Sequence, residues 1–286
     1  MEKTVITKVE VIKLNLPYKE PFVISLGVIT EATNVVVRIH TSDGLTGTGE
    51  CAPFVFIVGE TQETVFELAK KVGKMLLGRD PFAIGERLHE IDRAVHGNPT
   101  MKSAFDMAFY DLLALKAGMP LYRLLGGTAN REIHTDMTIS IGDPEKVSRD
   151  ALEFKKAGFP AIKVKLGTTT REDVARIKAI REVLGPDYPI RIDANQGWDT
   201  ITAIETLKAL EPFGVEHCEE PIPHWNNREL VRVRESSPIP IMADESVFDH
   251  HDAFRLASMG ACDYFNIKFS KSGGTSKLFP LGFRLN

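Results

Sequence analysis

A chain of 286 residues, 43% hydrophobic and 26% charged, can bury a substantial core in one large domain or two ordinary ones. A net charge of -4, a pI near 6.1 and no block of basic residues give it no general attraction for nucleic-acid phosphates or anionic membranes. No run of 18 apolar residues occurs, MEKTVITKVEVIKLNLP alternates like a strand instead of reading as a signal peptide, and Cys51, Cys218 and Cys262 lack disulfide or zinc spacing, so the expected setting is the cytoplasm.

Ile12, Leu14 and Leu16, and then Val35, Val37 and Ile39, alternate with more polar residues and predict two strands; TSDG turns the chain into a third that ends near Glu50. From Thr61 the periodicity becomes helical, with Thr61 as N-cap and Gly78 as the stop, and a second helix is expected after Asp80 and Pro81. In PTMKSAFDMAFYDLLALKAGMP, Met101, Phe105, Ala108, Leu112 and Leu115 share one helical face, and Gly118 with Pro120 ends the helix. Residues 1–127 therefore read as an α+β domain. Across 128–286 the short apolar runs IHTDMTIS, AIKVKLG, PIRIDAN, VEHCEEP, IPIMADE and CDYFNIK alternate with amphipathic segments such as DPEKVSRDALEFKKAG. This βα repeat predicts an α/β domain of parallel strands that close as a barrel, with the site at the C-terminal strand ends.

Five ionisable residues recur there: Lys165, Asp193, Glu219, Asp244 and Lys268 follow one another at intervals of 28, 26, 25 and 24 residues. Three carboxylates converging on one pocket repel unless a cation neutralises them, and all-oxygen ligation points to Mg²⁺. Such an ion stabilises negative charge on a substrate carboxylate when its α-proton is removed, which makes the lysines the candidate bases. Lys163 shares a strand face with Lys165, and a neighbouring ammonium is expected to lower the Lys165 pKa. Each acidic residue taken singly also reads as a helix cap, and DAN and ADES both offer one. Five residues at one period favour a site over five coincidences. Asn195 and Glu245 are candidates for support around the ligands, Glu245 sharing with Glu50 and Glu220 an open reading; Lys271 with Gly273 and Gly274 reads as a turn.

The stretches GTGECAP (47–53), SAFDMAFYDLLALKAGMPLYRLLGG (103–127), KVK (163–165), DANQGW (193–198), CEEP (218–221), ADES (243–246) and NIKFSKSGG (266–274) resemble the enolase superfamily, muconate lactonising subgroup, and within it the dipeptide epimerases. The resemblance implies an N-terminal capping domain over a modified (β/α)7β barrel, Mg²⁺ held by Asp193, Glu219 and Asp244, and Lys165 and Lys268 as acid/base groups on opposite faces of the substrate. The expected reaction is a 1,1-proton transfer at the α-carbon of the C-terminal residue of a dipeptide. The partners expected are that small molecule, no nucleic acid, no membrane, and a homo-oligomer as the candidate assembly. Two stretches, EPFVISLG (20–27) and GECAPFVFIVGE (49–60), resemble the specificity loops of dipeptide epimerases. The first lacks an arginine for an acidic side chain, so Phe22, Ile24, Phe54, Phe56 and Ile57 point to an apolar pocket; interface packing is the other reading.

N-acylamino acid racemisation, o-succinylbenzoate synthesis and muconate-type cycloisomerisation use a similar lysine pair and stay as alternatives. A barrel of this kind usually occupies about 250 residues. The βα repeat here is shorter, and no Asp-x-Asp pair for a substrate amino group is found on a last strand. The barrel is therefore expected to be C-terminally incomplete, which adds a noncatalytic Mg²⁺-binding remnant as an alternative of another class. A Schiff-base lyase built on Lys165 or Lys268 would leave the three carboxylates unexplained.

Overall fold

The computed structural model describes residues 3–128 and 132–277, which divide into two compact units. Described residues of Met1–Pro17, Glu31–Arg131 and Ile267–Asn286 form the first, and Tyr18–Thr30 with Glu132–Asn266 the second.

In the first unit the sheet runs β1 (Ile6–Ile24), β2 (Gly27–Thr41), β3 (Thr46–Cys51), and the tip of the β1–β2 hairpin belongs to the second unit. β2 and β3 pair antiparallel from Val35↔Cys51 to His40↔Thr46. Helices α1 (Val55–Val58), α2 (Gln62–Leu76), α3 (Ile84–Ala94), α4 (Pro99–Ala117) and α5 (Leu121–Leu124) follow. Val35, Val37 and Ile39 are fully buried with Val65, Leu76, Phe105, Phe109 and Leu112 in one core. Ile12 and Leu16 are exposed, however, and the β1 residues in or against that core are Ile6, Val9 and Val11, at the start of the strand. Leu115, in the last turn of α4, has likewise left the core face.

Glycine explains how closely α4 lies on β3. A Cβ at Gly49 would sit 1.9 Å from the carbonyl oxygen of Ala104, and one at Gly47 2.2 Å from that of Ala108. Only a residue without a side chain lets helix and strand backbones meet there. The N-terminus of α4 has no cap from its own Asn98; the buried Glu60 accepts instead from Thr100 N at 2.9 Å and Met101 N at 3.2 Å. A carboxylate there suits both the orphan amides and the helix dipole.

The second unit alternates strand and helix: β4 (Met137–Ile139), α6 (Pro144–Lys156), β5 (Ile162–Lys165), α7 (Thr170–Leu184), β6 (Ile190–Asp193), α8 (Thr200–Leu210), β7 (Val215–Glu219), α9 (Asn227–Ser236), β8 (Ile241–Ala243), α10 (His250–Met259) and β9 (Tyr264–Phe265). All five neighbouring pairs are parallel and the strands lie in sequence order, as βα connections require. These six strands form one parallel sheet with β4 and β9 outermost among the described residues, where the resemblance led to the expectation of a barrel. Ile162, Val164, Ile190, Ile192 and Cys218 are buried on one face, which leaves the alternate positions to the other. Side-chain caps come from Asp143 for α6, Thr169 for α7, Asp199 for α8 and Asp249 for α10. No helix among the described residues is long and apolar enough to cross a membrane.

Candidate active site

Strand register brings the periodic residues together. Lys165 pairs with Asp193 and Asp193 with Glu219, while Glu219 lies beside Met242, two residues before Asp244. One oxygen from each of Asp193, Glu219 and Asp244 lies within 4.8 Å of the others, and the three residues are 0, 2 and 0% exposed. Capping does not account for them. The cap of α8 is Asp199, six residues beyond Asp193, and that of α10 is Asp249, five beyond Asp244.

Both lysines of KVK reach this cluster. Lys165 Nζ donates to Asp193 Oδ2 at 2.6 Å and to Asn195 Oδ1 at 2.7 Å, and Lys163 Nζ donates to Glu219 Oε2 at 2.9 Å and lies 3.4 Å from Asp193. Asn195 in turn donates from Nδ2 to Glu245 Oε1 at 3.0 Å, and Asn266 donates to Glu219 Oε1 at 2.7 Å. Burial would raise the Asp193 carboxyl, but the charges of Lys165 and Lys163 outweigh it and hold the pKa below its ordinary value. Burial, followed by the charge of Asp193, pushes Glu219 up to about 7. Glu245 reaches about 8, through burial and then the charges of Asp244 and Asp193. Burial also works to lower the Lys163 pKa, yet Asp193 and Glu219 together raise it. Lys163 thus stays charged and compensates the carboxylates.

These residues fit a hard divalent cation. The donor set is entirely oxygen, the carboxylates crowd one another, and Glu219 resists ionising without further positive charge. Glu245 adds a buried Oε2 with no hydrogen-bond partner among the described residues. Such a cluster calls for more compensation than two ammonium groups provide.

The description "Mandelate racemase / muconate lactonizing enzyme, N-terminal domain" matches residues 6–126, and "Enolase C-terminal domain-like" matches 146–279. The chain belongs to the enolase superfamily. Among its enolase-superfamily relatives, a D-Ala-D/L-Ala epimerase of Cytophaga hutchinsonii is 48% identical over 94% of this chain and 73% of the relative. A hydrophobic dipeptide epimerase of Enterococcus faecalis is 41% identical over 94% of this chain and 76% of its own length. The crystal structure of the Cytophaga hutchinsonii dipeptide epimerase with Mg and D-Ala-L-Val aligns with a TM-score of 0.95 at 47% identity, covering 98% of this chain and 76% of that one.

In this superfamily member the specificity candidates divide between the units. Phe22 and Ile24 lie on the hairpin of the second unit, and the Phe22 ring centre is 5.9 Å from Lys165 Nζ. Phe54, Phe56 and Ile57 belong to the first unit; Phe54 and Phe56 meet edge to face at 5.6 Å, and Phe56 is 57% exposed. Lys268 is the N-cap residue of α11 (Phe269–Ser272) in the first unit, and the same helix holds Lys271, buried where a turn was expected.

Sequence reasoning left Glu220 open and passed over Asn266. Glu220 is fully buried and accepts from Asp244 N at 2.7 Å, from Ser246 N at 3.2 Å and from the Ser246 hydroxyl, so it ties the end of β7 to the end of β8. Burial lifts its pKa to about 7 against those bonds. Asn195, Gln196 and Glu220 have φ of 41°, 67° and 35°, a left-handed backbone that costs energy outside glycine. Strain concentrated at two adjacent strand ends marks the site independently of its charges. The doubled carboxylate of CEEP and the amide of NIK were the signals available in the sequence.

Proposed function

We propose that this chain is a Mg²⁺-dependent dipeptide epimerase that inverts the α-carbon of the C-terminal residue, with preference for apolar side chains. The observation that carries the reading is the buried meeting of Lys165 with Asp193, Glu219 and Asp244. Asp193, Glu219 and Asp244 would hold Mg²⁺, which when bound supplies positive charge to offset the negative charge developing on the substrate carboxylate.

The rest of the chemistry belongs to the chain. Lys165, 7% exposed and held by Asp193 and Asn195, is the acid/base group on one face of the substrate, and Lys268 is assigned to the other. Removal of the proton by one and its return by the other inverts the centre. Glu245 fixes the Asn195 amide and Asn195 aims Lys165, while Lys163 stays protonated and keeps Glu219 and Asp193 oriented. Phe22 and Ile24, with no arginine between residues 20 and 27, support a preference for apolar side chains, and the apolar chemistry of Phe54, Phe56 and Ile57 agrees with it. The relatives named for D-Ala-D/L-Ala and hydrophobic dipeptides are more identical to this chain than an N-succinyl-L-Arg/Lys racemase of Bacillus cereus at 32%. Three free cysteines support a reducing, cytoplasmic setting.

The test is incubation with Mg²⁺ and a dipeptide library in D₂O, read by mass spectrometry. A gain of one mass unit, accompanied by inversion that Lys165→Ala and Lys268→Ala each abolish, is expected. Absence of exchange across apolar, acidic, basic and N-acylated substrates would overturn the reading in favour of a noncatalytic remnant.

A further inference from the structure

Beyond the groups that face the substrate, Lys165 and Asp193 depend on how the loops after β5 and β6 are held. One side chain joins those loops. Asp173, on α7 and fully buried, accepts through Oδ2 from Gly167 N at 3.1 Å, Thr168 N at 3.0 Å and Trp198 Nε1 at 2.9 Å. Through Oδ1 it accepts from the Thr168 hydroxyl at 3.0 Å and Arg176 Nη1 at 2.6 Å. Gly167 and Thr168 follow Lys165 by two and three residues, and Trp198 follows Asp193 by five.

The two loops are also in backbone contact. A Cβ on Gly197 would lie 2.5 Å from Gly167 O and 2.6 Å from Gly167 Cα, and one on Gly167 2.4 Å from Ala194 O. No slack separates them, so a displacement of one loop moves the other. Arg176 is anchored in its turn, donating to Gly142 O at 2.7 Å and Thr168 Oγ1 at 2.6 Å. A carboxylate that accepts five hydrogen bonds from two loops and one cation does more than end a helix; the cap of α7 is Thr169.

We propose that Asp173 is a positioning residue for Lys165: by clamping the β5 loop to the β6 loop through Gly167, Thr168 and Trp198, it sets the placement of the Lys165 ammonium against Asp193 and the substrate. The catalytic half of this inference rests on the proposed epimerase activity.

The experiment compares the full-length protein with Asp173→Asn and Trp198→Phe; the second removes one donor and leaves the ion pair with Arg176 intact. Exchange of the α-proton in D₂O is followed separately from each epimer of one dipeptide. The Lys165-dependent epimer is identified as the one that stops exchanging in Lys165→Ala. Exchange from that epimer is expected to fall roughly 10- to 100-fold in Asp173→Asn, as an ångström-scale misplacement costs, with a much smaller change from the other epimer. Trp198→Phe should show the same asymmetry to a lesser degree. An equal fall from both epimers, or no fall, overturns the proposal, since a loss of folding alone would not distinguish the two faces.

A second readout needs no turnover. Reductive methylation of Lys165, read by peptide mapping against Lys155, whose Nζ is bonded to Leu184 O, should run several-fold faster in both variants than in wild type. Unchanged labelling overturns the inference even if the wild-type protein proves inert. That inertness would refute the epimerase reading and leave the labelling result to decide the clamp.

Discussion

Replacing Asp193 with Asn keeps the shape of a fully buried side chain and removes its charge. The hydrogen bond from Asn195 N to Oδ1, 2.9 Å long, survives the change. The ion pairs with Lys165 at 2.6 Å and Lys163 at 3.4 Å do not. With an effective dielectric constant of about 20 these attractions are worth about 6 and 5 kcal/mol, before the desolvation of Asp193 and its repulsion from Asp244 are set against them. Lys163 retains Glu219 at 2.9 Å, so the loss falls on Lys165, left with the Asn195 amide oxygen alone. A net cost of about 3 to 5 kcal/mol is expected for stranding a buried charge. The Asp193 pKa is depressed, so the wild-type contribution is present above the ordinary aspartate value of 3.8 and disappears as pH falls through the lower folded value. The assay is urea unfolding in EDTA at pH 7 for Asp193→Asn, Lys165→Met and the double variant, where the coupling energy should reach about 2 kcal/mol or more. Repeated with Mg²⁺ at about 100 times its Kd, unfolding of the wild type should require about 2.7 kcal/mol more, and that of Asp193→Asn should not change. Additive single variants would refute the charge compensation, and an undiminished Mg²⁺ response would refute Asp193 as a ligand.

Asp199→Ala, which removes the α8 cap that accepts from Thr202 N at 2.8 Å, should cost about 1 kcal/mol in thermal unfolding and leave deuterium exchange unchanged. A loss of exchange beyond the stability change would contradict its separation from the Asp193 cluster. Glu245→Gln keeps an acceptor for Asn195 and removes a carboxyl whose pKa stands at about 8. Because the folded wild type holds a proton that the unfolded chain releases near 4.5, its stability falls as pH rises from there to about 8. In metal-free protein the variant should therefore match wild type near pH 4.5 and exceed it by up to about 4 kcal/mol at pH 8; a difference independent of pH contradicts this account. Gly197→Ala places a methyl 2.5 Å from Gly167 O and should cost about 2 to 3 kcal/mol, with a neutral melting temperature as the refuting result.

The series of site residues was legible in the strand pattern. Period-two apolar runs between amphipathic segments implied parallel strands, and a polar residue at each strand end then had to fall on one rim. This is why Lys165, Asp193, Glu219 and Asp244 were legible without coordinates. The strand face of Lys163 was legible for the same reason, but its task was not. Nothing local announces its partner: folding brings Lys163 within 2.9 Å of Glu219, contributed by another strand 56 residues later. Which part of β1 is covered could not be read from alternation alone, because Ile12 and Leu16 alternate as well as Ile6, Val9 and Val11 and only the packing helices choose between them. Glu60 is similar: nothing near it announces that it caps a helix 40 residues downstream. Local pattern fixes which residues share a face, since backbone geometry repeats every two or 3.6 residues. Which faces meet, and therefore which charge neutralises which, is decided by contacts between segments distant in sequence, and only the tertiary structure contains those.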